Sequence, residues 1–203
     1  MTDTTQPVGN AATAHSSAGK QPTEEAERAL LKFISAGDRS AMDKLYVLYF
    51  ARLAKFFLHL TAHADFVEEL INDTMVEVWR DGASIGTNTS VAVWIMGLAY
   101  SHGQKRVAKV GAFRLRAQAA LLHTEHDSPR SATMDASSRL NEFLLRLSVE
   151  ERALLHLVYS GGHSQRDIAD IMNISCECVD ALLSDIRLRR LPHIIPPVPG
   201  YSP

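Results

Sequence analysis

The chain has only two cysteines, Cys176 and Cys178, among its 203 residues, and it has no long apolar run. Two cysteines are too few for the disulfide framework of a small secreted domain or for a four-cysteine zinc site. The longest apolar stretch, 91–100, is about half of the ~20 residues that span a bilayer. The N-terminus lacks the basic start and apolar core of a signal peptide. We therefore expect a cytoplasmic protein without membrane insertion.

The sequence also lacks the motifs that carry most enzyme chemistry. It contains no Gly-x-Gly-x-x-Gly or Walker loop, no nucleophile elbow and no paired catalytic carboxylates. Two histidine pairs, His59 with His63 and His123 with His126, have spacings that a metal site could use. However, no carboxylate or thiol is convincingly placed beside either pair. We expect a protein that is not an enzyme and that binds no metal or cofactor.

Neither sign of charge is in large excess. The 21 basic and 23 acidic residues leave a net charge of −2, which gives no general reason to expect nucleic-acid binding. The distribution is uneven, because residues 23–80 carry a net −3, residues 102–130 a net +4 and residues 164–193 a net −1. The near-neutral total therefore conceals an acidic part and a basic part suited to different partners.

The chain has no alternating β-branched segments that would favour strands, and it divides into helical segments between two tails. Residues 1–22 have almost no large apolar side chains and are expected to be a flexible tail, and residues 192–203 form a proline-rich tail. Apolar residues at helical spacing occupy 23–110 and 139–191, whereas 111–138 has the composition of a linker. The sequence predicts an all-α fold of two small helical domains joined by a flexible linker.

Capping signals set the expected helix starts in the first domain. They are Ser40, the Asp65-x-x-Glu68 pattern, and Thr89 or Ser90. The helix that follows Ser90 is expected to end near Lys109.

The second domain contains the most specific pattern in the chain. Ser148-Val-Glu-Glu151 is a capping box, and Ser164 caps a further helix with Asp167 at its third position. Asn173 can adopt the left-handed conformation in a three-residue turn, and Ser175 caps the helix that follows. This order is typical of a helix-turn-helix, although a plain helical hairpin has a similar pattern. A helix-turn-helix would direct these outward positions of its second helix at DNA base edges: Cys176, Glu177, Asp180, Ala181, Ser184 and Arg187.

Segments of both domains resemble bacterial sigma factors. Residues 147–155 and 159–175 are similar to region 4 of that family, and residues 37–46, 68–79 and 94–99 are similar to region 2. Two such regions joined by a short linker are the plan of the extracytoplasmic-function (group IV) RNA polymerase sigma factors. The resemblance covers about 24–191, and its specificity comes from the order and spacing of the two regions.

The resemblance implies three sets of site residues. Core RNA polymerase would bind the acidic face of the third helix: Glu68, Glu69, Asn72, Asp73 and Glu77. The promoter −10 element would contact a loop and the helix after it: Asn88, Thr89, Ser90, Tyr100, Ser101, Gln104, Lys105, Arg106 and Lys109. The upstream −35 element would contact the helix-turn-helix: Ser164, Gln165, Cys176, Glu177, Cys178, Asp180, Ala181, Ser184, Arg187, Arg189 and Arg190. Trp94 is expected to pack in the core instead of stacking on a base.

The implied partners are core RNA polymerase, promoter DNA and an anti-sigma protein that covers both domains, and the linker would run through the polymerase cleft. Two alternatives remain: a helix-turn-helix regulator that never joins polymerase, and a degenerate sigma-like protein that binds a partner but no promoter. Asp180 and Asp185 favour the latter, because acidic side chains repel phosphates. Phosphorylation of Thr74 is a further hypothesis for regulating the acidic face. Cys176 and Cys178 are expected to be small apolar fillers, with a redox-sensitive thiol as the alternative.

Overall fold

The structure is a computed structural model that describes residues 23–61, 63–121 and 147–190. Every regular element in these ranges is helical, which confirms the predicted all-α class. The α-helices are α1 (Glu24–Ser35), α2 (Arg39–Thr61), α3 (Val67–Asp81), α4 (Val91–Leu121), α5 (Val149–Tyr159), α6 (Gln165–Met172) and α7 (Cys176–Arg190). Short 3-10 turns at Ala64–Phe66 and Gly82–Ser84 precede and follow α3. None of the described helices is long and apolar enough to cross a membrane.

Helices α1 to α4 form the first unit, in which α2 supplies much of the core. Its apolar side chains recur every three or four residues, so that they share one broad face. Leu45, Leu53, Phe56 and Phe57 on this face are fully buried. Each such side chain contributes about 1.5–3 kcal/mol when it is removed from water, which explains why this amphipathic segment becomes a packed helix.

Helices α5 to α7 form the second unit, and its local geometry agrees with the prediction. Ser148 with Glu151 and Ser164 with Asp167 both form reciprocal capping boxes at the starts of α5 and α6. Asn173 ends α6 in the left-handed conformation, with φ 54° and ψ 47°. The Ser175 hydroxyl accepts a hydrogen bond from the Cys178 amide at 3.2 Å. The helix-turn-helix geometry is therefore confirmed.

The two units pack directly on each other. Helix α6 lies against α4, and α5 lies against α2. The approach is close at Gly97, where a Cβ atom would lie 3.7 Å from the backbone oxygen of Ile171. Buried apolar residues of both units consequently form one continuous cluster.

Two predicted caps of the first unit, those of α2 and α3, are wrong. The Asp38 carboxylate accepts from the amides of Ser40 and Ala41, at 2.8 and 3.3 Å, so Asp38 caps α2 in place of Ser40. Helix α3 starts at Val67 after a 3-10 turn, with no side-chain cap, so the predicted capping box at Asp65 does not form. Such errors arise because neighbouring acids offer competing caps and only the surrounding packing selects one.

The start and the end of α4 also differ from the prediction. Its Val91 amide donates to the carboxylate of Glu24, at 3.0 and 3.2 Å to the two oxygens, and the Ser90 hydroxyl donates to the same group at 3.0 Å. A residue of α1 therefore supplies the cap that was expected from Thr89 or Ser90. The helix also continues to Leu121, past the predicted end near Lys109 and into the predicted linker. Residues 122–146, which include the rest of that linker, lie outside the described residues.

Candidate functional site

The predicted acidic face of α3 is on the surface. Glu68, Glu69, Asn72 and Asp73 are exposed, and Glu77 is half-buried. The opposite side of the helix is buried, because the intervening apolar residues pack into the first unit. The five residues thus share one side of the helix, as their spacing predicts.

Helix α4 partly neutralises this face from within the chain. Arg106 pairs with Glu69 and lies over the Phe66 ring, with its guanidinium carbon 4.2 Å from the ring centroid. His102 Nε2 lies 2.6 Å from a carboxylate oxygen of Glu77. Of the four carboxylates on the face, those of Glu68 and Asp73 therefore form no ion pair with the described residues.

Exposed apolar side chains lie on α2 and α3. Their exposure was not predicted from the sequence. Val76 and Trp79 on α3 are 64% and 37% exposed, and Val47 and Phe50 on α2 are 76% and 44% exposed. Clustered exposed apolar groups are typical of a protein-binding surface. The only available signal was their position, because residues at 76 and 79 extend the acidic face by one turn.

The Tyr46 hydroxyl joins the two helices at this surface. It donates to the Asn72 side-chain oxygen at 3.2 Å, and its ring lies 5.8 Å from that of Phe50. We refer to Tyr46, Val47, Phe50 and the exposed α3 residues 68–79 as the α2–α3 surface.

The predicted −10 loop is anchored by α1. Arg28 donates to the backbone oxygens of Gly86, at 3.4 Å, and of Thr89, and it is paired with Glu24 at 2.9 Å. Asn88 is exposed at the tip of this loop, whereas Thr89 and Ser90 are half-buried. Glu24 and Arg28 are positioning residues that the sequence did not reveal, since their contacts cross about 60 positions of the chain.

The residues predicted on α4 divide into an exposed and an occupied set. Lys105 and Lys109 are exposed and stand one turn apart, so they face the same way. Arg106 is turned towards α3, and Ser101 is half-buried.

Tyr100 does not occupy the surface position that was expected. It is 5% exposed, and its hydroxyl accepts from Gln104 at 2.7 Å. Gln104 also donates to Glu150 of α5 at 3.3 Å, so the second unit covers both residues. Burial raises the pKa of Tyr100 to about 12. Tyr100 is therefore covered in this docked arrangement of the two units, and its contact with DNA stays a prediction. Trp94 packs against the core with Leu98, which confirms the expectation for that residue.

The outward face of α7 is arranged as predicted. Its exposed residues include Cys176, Glu177, Cys178, Asp180, Ala181 and Ser184, and Leu188 is exposed as well. Val179, Leu183 and Ile186 are buried on the opposite side, and Arg187 is half-buried. The side chains of Arg189 and Arg190 lie outside the described residues.

Residues at the start of the helix-turn-helix have structural roles. Ser164 is engaged in its capping box, and Gln165 donates to the backbone oxygen of Cys176 at 3.2 Å, which ties α6 to α7. Cys176 and Cys178 are exposed free thiols, so the expectation that they fill apolar space is wrong. Thr74 is fully buried and donates to the Leu70 backbone oxygen at 2.7 Å, so the phosphorylation hypothesis also fails.

A cleft of about 760 Å³ lies between the two units. Arg52 donates across it to Nε2 of His163 at 2.7 Å. The ring centroids of His156 and His59 lie 4.8 Å apart, with the rings tilted at 45° to each other. Burial lowers the pKa of His156 and His163 to about 4, assisted by the positive charge of Arg52. Both imidazoles are therefore neutral at pH 7, which allows His163 to accept from Arg52.

The fold and the exposed face of α7 are those of an all-α protein in which a helix-turn-helix unit packs on a second helical unit. No protein-family model matches the chain. It is 25% identical over 156 residues to the RNA polymerase sigma factor YlaC of Bacillus subtilis, covering 74% of this chain and 90% of that protein. It is 23% identical over 166 residues to the ECF RNA polymerase sigma factor SigM of Mycobacterium tuberculosis, covering 82% and 83%.

Two solved structures have the same fold. The sigma factor RpoE of Bartonella quintana, in complex with the anti-sigma factor NepR, matches with a TM-score of 0.58 and 19% identity over 72% of this chain and 92% of that one. CnrH, in complex with the cytosolic domain of CnrY, matches with a TM-score of 0.59 and 18% identity over 80% and 93%. The chain is therefore similar in sequence to RNA polymerase sigma factors, one of them of the extracytoplasmic-function family, and it shares its fold with the two solved structures. The group number within that family stays a prediction.

Proposed function

We propose that this protein is an RNA polymerase sigma factor that binds core polymerase and directs promoter-specific initiation of transcription, in the cytoplasm and without chemistry of its own. The observation that carries the proposal is the similarity to named sigma factors over most of both chains. A shared helix-turn-helix alone would support only DNA binding. Similarity over the first unit as well supports attachment to polymerase.

The proposed polymerase site is the α2–α3 surface. Glu68 and Asp73 supply unpaired negative charge for a basic partner surface, and Val76, Trp79 and Phe50 supply apolar area. Exposed apolar and charged side chains on one surface are typical of protein interfaces.

The proposed DNA sites are the 85–90 loop with Lys105 and Lys109 for the −10 element, and the outward face of α7 for the −35 element. Two lysines one turn apart neutralise neighbouring phosphates, and the exposed polar side chains of α7 fit a major groove. Tyr100 and Gln104 are covered by the second unit, so their contribution requires the units to separate, and that of Arg106 requires it to leave Glu69. Residues 122–138, together with 111–121 of α4, are proposed to cross the polymerase cleft.

An anti-sigma protein is a further proposed partner. The matched sigma factor RpoE is solved in complex with the anti-sigma factor NepR, and the matched CnrH in complex with the cytosolic domain of CnrY. A partner of this kind would have to cover surfaces that polymerase uses, and the exposed apolar groups of the α2–α3 surface would favour its binding.

Binding to core polymerase tests the proposal most simply. We expect the chain to co-elute with core RNA polymerase in gel filtration, and the paired substitution Glu68→Lys/Asp73→Lys to weaken this association at least about tenfold through like-charge repulsion. Glu25→Lys, at an exposed acid on α1, is the matched control and should bind normally.

Other outcomes of the same experiment favour the alternatives. Absence of co-elution, together with specific DNA binding by the chain alone, would favour a regulator that does not join polymerase. Co-elution without promoter-dependent transcription would favour a sigma-like protein that has lost promoter recognition.

A further inference from the structure

The cleft between the two units has an excess of basic side chains. Nitrogen-bearing groups from both units line it: Arg52, Lys55, His59, His156 and His163. The one carboxylate of the lining, Glu27, already accepts a hydrogen bond from the Tyr49 hydroxyl at 2.9 Å. Arg52 and Lys55 form no ion pair with any described residue. The lining therefore holds the cations Arg52 and Lys55 against the single carboxylate of Glu27, and the cleft keeps an excess of positive charge.

We propose that the cleft binds a small phosphate-bearing anion, and that the bound anion fastens the helix-turn-helix unit onto the first unit. Its volume of about 760 Å³ lies within the range of small-molecule sites, which is about 300–1,000 Å³. Guanidinium and ammonium groups are the side chains that proteins use for phosphate. Because α2 supplies Arg52, Lys55 and His59 while α5 supplies His156 and the loop before α6 supplies His163, an occupant contacts both units at once.

Two further observations show that basic groups of the cleft have no anionic hydrogen-bond partner. Arg52 donates to an uncharged imidazole, His163, where an arginine ordinarily pairs with an anion. His156 is 7% exposed, and its Nδ1 atom has no hydrogen-bond partner among the described residues. A buried polar atom without a partner costs free energy. Burial and the nearby cations also lower the pKa of His156, because both disfavour its charged form. A phosphate oxygen in the cleft would give this nitrogen a hydrogen-bond partner and would offset the nearby positive charges.

Titration with inorganic phosphate and with adenosine monophosphate tests the proposal, at constant ionic strength maintained with sodium chloride. The readout is the NMR ring signals of His59, His156 and His163 in the full chain. We expect saturable shifts confined to these histidines and a rise in the pKa of His156 and His163 on saturation, because a nearby anion favours the imidazolium. Tighter binding of adenosine monophosphate would assign part of the cleft to a nucleoside, whereas equal binding would assign the site to the phosphate group.

Substitutions in the cleft distinguish binding at a specific site from general attraction of anions to basic side chains on the surface. The Lys55 side chain is exposed, so Lys55→Gln should preserve the fold. The pair Arg52→Gln/Lys55→Gln should weaken phosphate binding at least about tenfold. Arg39→Gln/Lys44→Gln removes two exposed bases from the first part of α2, away from the cleft, and should bind like the unchanged protein. Shifts that do not saturate, or equal weakening by the two pairs of substitutions, would overturn the proposal. These readouts need no polymerase, so they are independent of the proposed function.

Discussion

Glu24 and Arg28 illustrate how single residues position the candidate DNA-binding loop. The carboxylate of Glu24 accepts the first amide of α4, and Arg28 holds two backbone oxygens of the 86–89 turn. A negative group at a helix N-terminus also interacts favourably with the helix dipole. One salt-bridged pair on α1 therefore fixes both the start of α4 and the loop that precedes it.

Glu24→Gln should weaken this anchor. The amide side chain keeps an acceptor for Val91 but loses the charge that attracts Arg28, so we expect a loss of about 1 kcal/mol in the free energy of unfolding. Urea denaturation measures the change, with Glu25→Gln on the solvent side of α1 as the control. Equal stability of the two variants would contradict the anchoring role.

The contact between Arg52 and His163 should be sensitive to pH. Burial lowers the pKa of His156 and His163 from 6.5 to about 4, so separated or unfolded states bind protons that the docked state does not. Arg52, Lys55 and His59 oppose protonation of these rings, and Asp167 favours that of His163. The docked state is therefore fully stabilised above about pH 6.5 and loses stability as the pH falls towards 4.

His163→Gln tests this dependence, because glutamine keeps an acceptor for Arg52 but does not titrate. Thermal denaturation should show a smaller loss of Tm between pH 7.5 and pH 5 for the variant than for the unchanged protein. The same loss in both proteins would show that His163 does not control docking.

At the scale of elements, α7 combines helix-turn-helix geometry with an unusual charge. Glu177 and Asp180 are exposed on the face that is proposed to approach DNA. Each acid near a phosphate reduces affinity, because it adds repulsion and retains counterions on the DNA. Affinity of this unit for the upstream element should therefore be low on its own and should depend on attachment to polymerase.

Asp180→Lys should strengthen DNA binding by the isolated chain. The change replaces a repulsive with an attractive charge, so we expect the affinity to rise about tenfold or more and the salt dependence to become steeper by about one counterion. Fluorescence anisotropy with a promoter duplex over a range of salt concentrations measures both quantities. Asp43→Lys, at an exposed acid on α2, is the control for the added charge alone.

The helices could largely be predicted from the sequence, whereas the connections between them could not. Period and local capping residues predicted α5 to α7 well, because Ser148, Ser164 and Asn173 act on their own neighbours. The cap of α4 was missed because Glu24 comes from another helix. The exposure of Trp79 and the burial of Tyr100 could not be predicted for a similar reason: helical spacing defines a face, but only tertiary packing determines what covers it.

At the scale of the whole molecule, the docked arrangement is incompatible with contact to both promoter elements at once. The −10 and −35 elements lie about 25 base pairs apart, roughly 85 Å at ~3.4 Å per pair. Helices α4 and α7 are connected through α6, and two helix-packing distances of about 8–10 Å place them roughly 20 Å apart. Under the proposed function, the two units must therefore separate before promoter binding.

Gly97→Leu should cause this separation. A leucine side chain in α4 would extend into the backbone of α6 at Ile171, whereas alanine fits because its Cβ has 3.7 Å of space. We expect the radius of gyration in small-angle X-ray scattering to rise for Gly97→Leu and to stay unchanged for Gly97→Ala. An unchanged radius for both variants would mean that the α4–α6 contact does not hold the units together.

Run-off transcription with purified core polymerase tests whether the chain directs promoter-specific initiation. The chain and the core enzyme would be combined on fragments of the source genome, with core enzyme alone as the reference. We predict discrete transcripts that require the chain and that disappear with Glu68→Lys/Asp73→Lys but persist with Glu25→Lys. No chain-dependent transcript, from a preparation in which the chain is bound to core polymerase, would contradict it.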